Sequence, residues 1–288
     1  MKHTLTFALV GGDVRQVYLG ERLAADGAKV KTIGLERHDT GMPTSSDLRA
    51  LFAEADVILL PMPVMGVRGR LNAPLANAPY KLVDILDAIP AGKPVFGGSV
   101  PQMVTDMASR RGIDVRDYLQ REELALLNAI PTAEGAIQIA MEELPVTLHE
   151  LPVLIIGAGR IGSALAVRLH GLGAKVTVSA RKYTDFARIR SAGYACMDTR
   201  QLTGRLSAFP LIVNTVPYPI LTRTVLADCK PDALIIDLAS GKGGTVSDAA
   251  EFCRVIHALS LPGRVAPRSA ATAIYETICH MLEEEGRL

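Results

Sequence analysis

Residues 151–182 read LPVLIIGAGRIGSALAVRLHGLGAKVTVSARK, and this stretch decides the fold of the second half of the chain. An apolar run at residues 153–156 meets a glycine turn at 157–162, which is followed by a helical pattern and a second β-rich run at 175–179. Strand, glycine turn, helix and strand form the context in which a GxGxxG turn binds a dinucleotide. The alternative is a glycine turn kept only for the packing of helix on strand.

The glycines of this turn have distinct expected tasks. Gly157 permits the tight turn, Gly159 lets the backbone approach a pyrophosphate, and Gly162 lets the helix pack close to the strand. The N-terminus of the helix offers N–H groups and a positive dipole end to the phosphates. The predicted cofactor-binding residues of the turn are Gly157, Ala158, Gly159, Arg160, Ile161 and Gly162.

The end of the second strand bears on the choice of nicotinamide cofactor. An NAD site normally carries Asp or Glu about 20 residues after the first glycine, where it binds the ribose 2′-OH. Here residues 175–184 contain no acid, and the next acid is Asp185. Ser179 could donate to a 2′-phosphate, and Arg181 and Lys182 could pair with it, since a guanidinium binds phosphate through two nitrogens. We therefore predict NADP, with NAD possible; a solvated Arg–Lys pair is the alternative.

Bulk composition narrows the class of protein. A chain of 288 residues with 49% hydrophobic residues has room for two domains with substantial cores. A net charge of +1 argues against nucleic-acid or membrane-surface binding. The four cysteines form no CxxC pair and suggest reduced thiols in the cytoplasm, and the histidines lack metal-binding spacing. We expect no metal and no apolar stretch long enough for a membrane helix.

The first half opens with a loose copy of the same design. Residues 5–12, LTFALVGG, are an apolar strand pattern ending in glycines, and a helical pattern and a second strand follow. Alternating strands and helices continue through both halves. The predicted fold class is α/β, with two Rossmann-like, doubly wound parallel-sheet domains joined by a linker helix and an active-site cleft between them.

The expected domain boundaries follow from this alternation. Residues 1–125 form an N-terminal Rossmann-like domain for substrate or partner, and residues 126–150 a linker helix. Residues 151–264 form the NAD(P)-binding domain, and residues 265–288 a helix packing back on the first domain. Pro131 predicts a break in the linker helix, with Thr132 capping its second segment.

Two later loops of the second half should flank the nicotinamide ring and its ribose. Asn214 and Thr215 are predicted to bond the ribose or the carboxamide, whereas Asp237 could equally anchor its own turn. Lys242, in a glycine-rich turn, is a candidate catalytic residue, with a solvated lysine as the alternative. The other cofactor-binding residues predicted in these loops are Val216, Pro217, Leu238 and Ala239.

Charged residues of the first half suggest a dicarboxylate site. Arg15 follows the first strand, and Arg68 and Arg70 lie in the loop after the strand at residues 55–60. Arginines at strand ends suit a small dicarboxylate because each can bind a carboxylate through two nitrogens. Asp13 is a candidate catalytic base. For each arginine, a solvated surface position is the alternative.

Several of these segments together resemble the A subunit of dipicolinate synthase from spore-forming bacteria. The segments are residues 10–16 (VGGDVRQ), 55–63 (ADVILLPMP), 128–135 (NAIPTAEG), 157–162 (GAGRIG), 180–181 (AR) and 261–267 (LPGRVAP). The resemblance implies oxidation of a dihydrodipicolinate-type dicarboxylate to dipicolinate with a nicotinamide acceptor. It also implies a flavoprotein-like partner, the B subunit of dipicolinate synthase, with homo- or hetero-oligomers and action in the mother-cell cytoplasm during sporulation.

Two other functions stay open at this point. The chain could be an NADP-binding scaffold whose flavoprotein partner performs the chemistry. It could also be a stand-alone 2-hydroxyacid or amino-acid dehydrogenase, which would need a catalytic histidine with an arginine or acidic partner, and no such pair is evident in the sequence.

Overall fold

The computed structural model describes residues 4–241 and 243–288, so that Lys242 lies outside the described residues. Its contacts divide the chain into two compact units. Unit 1 comprises the chain up to Leu127 together with Ala266–Leu288, and unit 2 comprises Asn128–Val265. Each unit is built on one parallel β-sheet flanked by helices, which confirms the predicted α/β class with two Rossmann-like domains.

Unit 1 holds a five-stranded sheet of order β2-β1-β3-β4-β5 in which every neighbouring pair is parallel. The strands are β1 (Thr6–Val10), β2 (Lys29–Ile33), β3 (Val57–Leu59), β4 (Val95–Gly97) and β5 (Val115–Asp117). The helices are α1 (Val14–Ala25), α2 (Leu48–Glu54), α3 (Leu82–Ala88), α4 (Gln102–Ser109), the start of α5 (Glu122–Glu143), and α10 (Pro267–Glu284). From β1 the chain adds β2 on one side and β3, β4 and β5 on the other, so the strand order reverses between β1 and β3. In parallel sheets of this kind ligands bind at the carboxyl ends of the strands at this point.

The C-terminal helix completes the core of unit 1. Its buried residues Ile274, Ile278 and Leu282 join Phe7 and Leu9 of β1 in one hydrophobic cluster. Parallel strands need helices on both faces because both faces are apolar. The chain therefore returns to unit 1 after completing unit 2, and α10 covers a face that the first 127 residues leave open.

Unit 2 holds a six-stranded parallel sheet of order β11-β10-β9-β6-β7-β8. The strands are β6 (Pro152–Ile156), β7 (Lys175–Ala180), β8 (Ala195–Asp198), β9 (Leu211–Asn214), β10 (Leu234–Asp237) and β11 (Arg254–His257). The remaining helices are α6 (Arg160–Gly171), α7 (Tyr183–Ser191), α8 (Arg223–Leu226) and α9 (Leu261–Val265). The reversal lies between β6 and β9, so the carboxyl ends of these central strands carry the candidate cofactor site.

Helix α5 departs from two expectations. It runs without a break through Pro131, and the Thr132 hydroxyl donates to the Asn128 carbonyl one turn back instead of capping a new segment. Residues 124–141 contain one charged residue, Glu134, so the helix is long and apolar enough by length and composition to cross a membrane, contrary to expectation. However, 44% of that stretch is buried inside the protein, and core helices pass the same test.

Candidate functional site

The glycine turn of unit 2 joins β6 to α6 in a conformation that side chains would block. Gly157 has φ +106°, and a Cβ placed there would lie 2.5 Å from Thr215 Oγ1. A Cβ at Gly162 would lie 2.0 Å from the Gly157 carbonyl oxygen, because the helix begins directly against the turn. Both glycines are therefore required by the fold of the turn itself.

Neither a steric clash nor the backbone conformation requires glycine at position 159. Its φ is −81°, and a Cβ placed there would meet no atom within 4 Å among the described residues. Gly159 is also the N-cap of α6, and among the described residues no side chain caps this helix. Open space therefore faces the N-terminus of a helix that begins with a glycine cap, which is the arrangement that a pyrophosphate occupies.

The residues predicted to bind a 2′-phosphate at the end of β7 differ in their exposure to solvent. Arg181 and Lys182 are exposed. Ser179, however, is fully buried, and its hydroxyl accepts a hydrogen bond from Thr199 Oγ1 at 3.1 Å. The expectation that Ser179 donates to a 2′-phosphate does not fit this position, because its fully buried hydroxyl is not accessible to a cofactor.

The neighbouring strand carries an acid that was not among the predicted site residues. Asp198 ends β8 beside Ala180, and its carboxylate binds the Arg200 guanidinium through both oxygens. The side-chain and backbone hydrogen bonds from Arg200 lower the pKa of Asp198 to about 2. The segment Asp198-Thr199-Arg200 has the pattern of an acidic cap followed by a turn, and this pattern is a sequence signal for the position.

Asp237 anchors the loop that follows β10. Its buried carboxyl group accepts hydrogen bonds from Asn214 Nδ2 (2.9 Å), the Ala239 and Gly244 N–H groups (3.1 and 2.9 Å) and Thr245 Oγ1 (2.7 Å). A buried carboxyl group without donors would destabilise the fold, and these donors remove that cost. Of the two roles open for Asp237, the structure supports the anchor.

The same network redirects the side chains expected to bind the cofactor. Asn214 is fully buried and bonds Asp237 and the backbone of Val216. The Thr215 hydroxyl donates to the Ile156 carbonyl at 2.9 Å. The buried Asn214 side chain is therefore occupied within the fold, whereas the Thr215 oxygen can still accept a hydrogen bond from a ribose or carboxamide. Leu238 and Ala239 are also buried, whereas Pro217 is exposed.

The glycine turn of unit 1 is closed by its own charged residues. Asp13 caps α1 by accepting from the Arg15 N–H, and its carboxylate also binds the Arg15 guanidinium, with an NH2–Oδ2 distance of 2.7 Å. The same NH2 group donates to the Met62 carbonyl at 2.7 Å, and Arg15 is 8% exposed. In this structure Asp13 and Arg15 are therefore partners of each other, and their predicted roles as catalytic base and substrate-binding residue stay predictions.

Arg68 and Arg70 lie on a small hairpin after β3. Met65 pairs with Leu71 across it, and the Gly66 N–H donates to the Arg70 carbonyl. Both arginines are exposed, and within residues 4–241 and 243–288 no side-chain hydrogen bond or ion pair involves either one. Arg68 has φ +58°, a left-handed conformation that is unfavourable for residues with a Cβ.

Comparison with known proteins identifies both parts of the chain. Residues 6–119 match the family model of the N-terminal domain of the dipicolinate synthase A subunit. Residues 126–258 match the NAD-binding domain of D-isomer-specific 2-hydroxyacid dehydrogenases.

Full-length relatives agree with these matches. The A subunit of dipicolinate synthase from Bacillus subtilis is 32% identical over 97% of this chain and 96% of its own length. The crystal structure of the corresponding A subunit from Bacillus halodurans is 28% identical, covers 98% of this chain and 99% of that chain, and superposes with a TM-score of 0.90. A glyoxylate/hydroxypyruvate reductase B of Enterobacter agglomerans is 29% identical over 49% of this chain and 45% of its own length.

The dehydrogenase domain and its open glycine turn account for binding of a nicotinamide cofactor. The match over nearly the full length of the chain defines its family. The chain belongs to the family of dipicolinate synthase A subunits and is an NAD(P)-dependent oxidoreductase.

Proposed function

We propose that this chain oxidises a dihydrodipicolinate-type dicarboxylate to dipicolinate with NADP as hydride acceptor, in a complex with a flavoprotein-like B subunit and during sporulation. The observation that carries the proposal is the open, uncapped glycine turn of unit 2 in a member of this family. When bound, the cofactor supplies a nicotinamide ring that accepts a hydride. Loss of a hydride and a proton makes the substrate ring aromatic, and this gain drives the reaction.

Binding of the cofactor rests mainly on backbone groups. The backbone N–H groups at the start of α6 would hold the pyrophosphate, and Gly159 would leave the space for it. The loops after β9 and β10 contribute their backbone and their surface, because the side chains of Asn214 and Asp237 are occupied with each other. The hydrogen bond between Asn214 and Asp237 holds the two loops in position beside the expected ribose and nicotinamide ring.

The charges at the ends of β7 and β8 favour NADP. Arg181 and Lys182 are exposed where an NAD enzyme places an acid. The acid on the neighbouring strand, Asp198, is already bound by Arg200 through both oxygens. A 2′-phosphate would therefore meet exposed cations at this edge and a carboxylate that is already neutralised, which supports preference for the phosphorylated cofactor.

The dicarboxylate is assigned to Arg68 and Arg70. Their exposed guanidinium groups keep the donors that a carboxylate requires, whereas those of Arg15 are largely used by Asp13 and Met62. The Arg15–Asp13 pair ties the turn after β1 to the loop after β3 and so supports the hairpin that carries both arginines. Lys242 stays a candidate for the proton transfer.

The occupied state of Asp13 favours a second candidate function, the NADP-binding scaffold, because the described part of unit 1 then offers no free base at its glycine turn. The decisive experiment is an assay of dihydrodipicolinate oxidation by this chain alone, by its flavoprotein partner alone and by both. We expect NADPH and dipicolinate to form with this chain in the absence of its partner. Product from the mixture but not from this chain alone would leave it the scaffold role.

Replacing Gly159 by alanine separates cofactor binding from folding. Ala fits the backbone conformation and meets no described atom within 4 Å, so the thermal midpoint should fall only by the preference of an N-cap for glycine over alanine. The added methyl group occupies the space of the pyrophosphate, and affinity for NADP should fall about tenfold or more. Gly171→Ala is the matched control, because its Cβ also meets no atom. Unchanged affinity in Gly159→Ala, measured by calorimetry, would contradict the site.

Replacing Arg181 by alanine tests the choice of cofactor. The loss of a charged hydrogen bond to the 2′-phosphate should weaken NADP binding by about 1.5–3 kcal/mol and leave NAD binding nearly unchanged. Arg188→Ala, at an exposed arginine in the helix that follows, is the control. Dissociation constants for both cofactors decide the matter, and NAD binding as tight as NADP binding in the unaltered protein would refute the preference.

Replacing Arg68 by glycine should separate stability from turnover. Glycine accepts φ +58° without strain. The free energy of unfolding of unit 1 should therefore stay the same or rise by up to about 1 kcal/mol. Loss of the guanidinium should lower kcat/KM for the dicarboxylate about tenfold or more, with NADP affinity intact. Arg110→Ala, at an exposed arginine after α4, is the control. Full activity of Arg68→Gly would remove this arginine from the substrate site.

A further inference from the structure

Two exposed aromatic side chains flank the glycine turn of unit 2. Within residues 4–241 and 243–288, which include every tyrosine and phenylalanine of the chain, only Tyr183 and Tyr218 are exposed, by 85% and 64%. Tyr183 follows β7, and Tyr218 follows β9. These strands are the two neighbours of β6, which leads into the glycine turn. An aromatic ring left in water beside a ligand site becomes favourable to bury once a planar ligand covers it.

The strand order decides which half of a dinucleotide passes each tyrosine. The Gly157 N–H donates to the Ser179 carbonyl at 3.0 Å, so the glycine turn lies directly beside the end of β7. The loops after β9 and β10, to which the nicotinamide and its ribose are assigned above, lie on the other side of β6. A pyrophosphate at the turn joins the two nucleosides of NADP. The adenosine half therefore extends over the end of β7, where Tyr183 lies.

The residues next to Tyr183 suit the same half of the cofactor. Arg181 and Lys182 directly precede it, are exposed, and are assigned above to the 2′-phosphate. That phosphate is carried by the ribose of the adenosine, so the adenine base must lie close to these cations. Tyr218, by contrast, has no lysine or arginine among residues 215–221. Of the two exposed tyrosines, Tyr183 is therefore the one placed for the adenine ring.

Phe186 gives the Tyr183 ring a defined orientation. Both residues belong to α7, and their rings meet edge to face, with centroids 6.2 Å apart and planes at 73°. Such a contact covers at most one face of a ring. Because Tyr183 is nevertheless 85% exposed, it keeps an open face, and an open aromatic face is what a nucleobase requires for stacking.

We propose that Tyr183 is the platform on which the adenine ring of NADP stacks. This inference rests on the cofactor assigned under the proposed function and adds the residue that binds the base. The interaction uses the face of the ring, so the tyrosine hydroxyl is not required for it. Adenine is common to NADP and NAD. Tyr183 therefore contributes affinity for both cofactors, whereas Arg181 discriminates between them.

The test measures binding of NADP and of its two halves to the full-length protein by calorimetry. Adenosine 2′,5′-bisphosphate carries the base and the 2′-phosphate, and nicotinamide mononucleotide lacks both. Tyr183→Ala should weaken binding of NADP, NAD and the bisphosphate about 5- to 150-fold, the loss expected for one base–aromatic stack, and leave mononucleotide binding unchanged. Tyr183→Phe keeps the ring and should retain the affinity. Tyr218→Ala, at the other exposed tyrosine, is the matched control and should retain bisphosphate affinity.

A further variant reports the stack directly. The chain contains no tryptophan, so Tyr183→Trp introduces a single one, whose fluorescence the bisphosphate should quench. Unchanged bisphosphate affinity in Tyr183→Ala, or a loss confined to Tyr218→Ala, would overturn this inference and leave the cofactor assignment in place. Failure of the unaltered protein to bind both NADP and the bisphosphate would overturn the cofactor assignment and this inference together.

Discussion

The first N–H groups of a helix have no partner within the helix, and the two units meet this constraint in opposite ways. In unit 2 the N-cap of α6 is Gly159, which has no side chain to offer, so the groups stay available to an anion. In unit 1 the N-cap of α1 is Asp13, whose carboxylate satisfies the helix and holds Arg15. One strand–glycine–helix design therefore produces a dinucleotide site in one half and a closed structural joint in the other.

A second constraint acts at the neighbouring strand ends of unit 2. A carboxyl group as buried as that of Asp237 is stable only with donors in place, and its four donors come from the end of β9 and from the loop after β10. The network connects β9, β10 and the loop at residues 238–245. Asn214 and Thr245 are consumed by this task. The polar residues at this edge therefore give the site its shape, and they are not themselves free for a ligand.

The sequence allowed prediction of features with local causes. The glycine turn, its flanking strands and the parallel α/β organisation follow from spacing and apolar runs, and the structure confirms them. It did not allow prediction of contacts made across the fold. The burial of Ser179 depends on Thr199, which follows a neighbouring strand, and the closure of Arg15 depends on the Met62 carbonyl. The course of α5 through Pro131 depends on packing that overrides the local preference of proline.

The arginines of unit 1 illustrate how burial separates a cation that the fold uses from a cation that stays exposed. Arg15 and Arg68 both follow central strands, and the sequence offers no basis to separate them. Arg15 is 8% exposed and bound to a carboxylate and a carbonyl, so a ligand would have to displace bonds that the fold requires. Arg68 is exposed and held in a strained conformation between Gly66 and Gly69. Backbone strain at a non-glycine residue is typical of functional positions, and this strain supports the role proposed for Arg68.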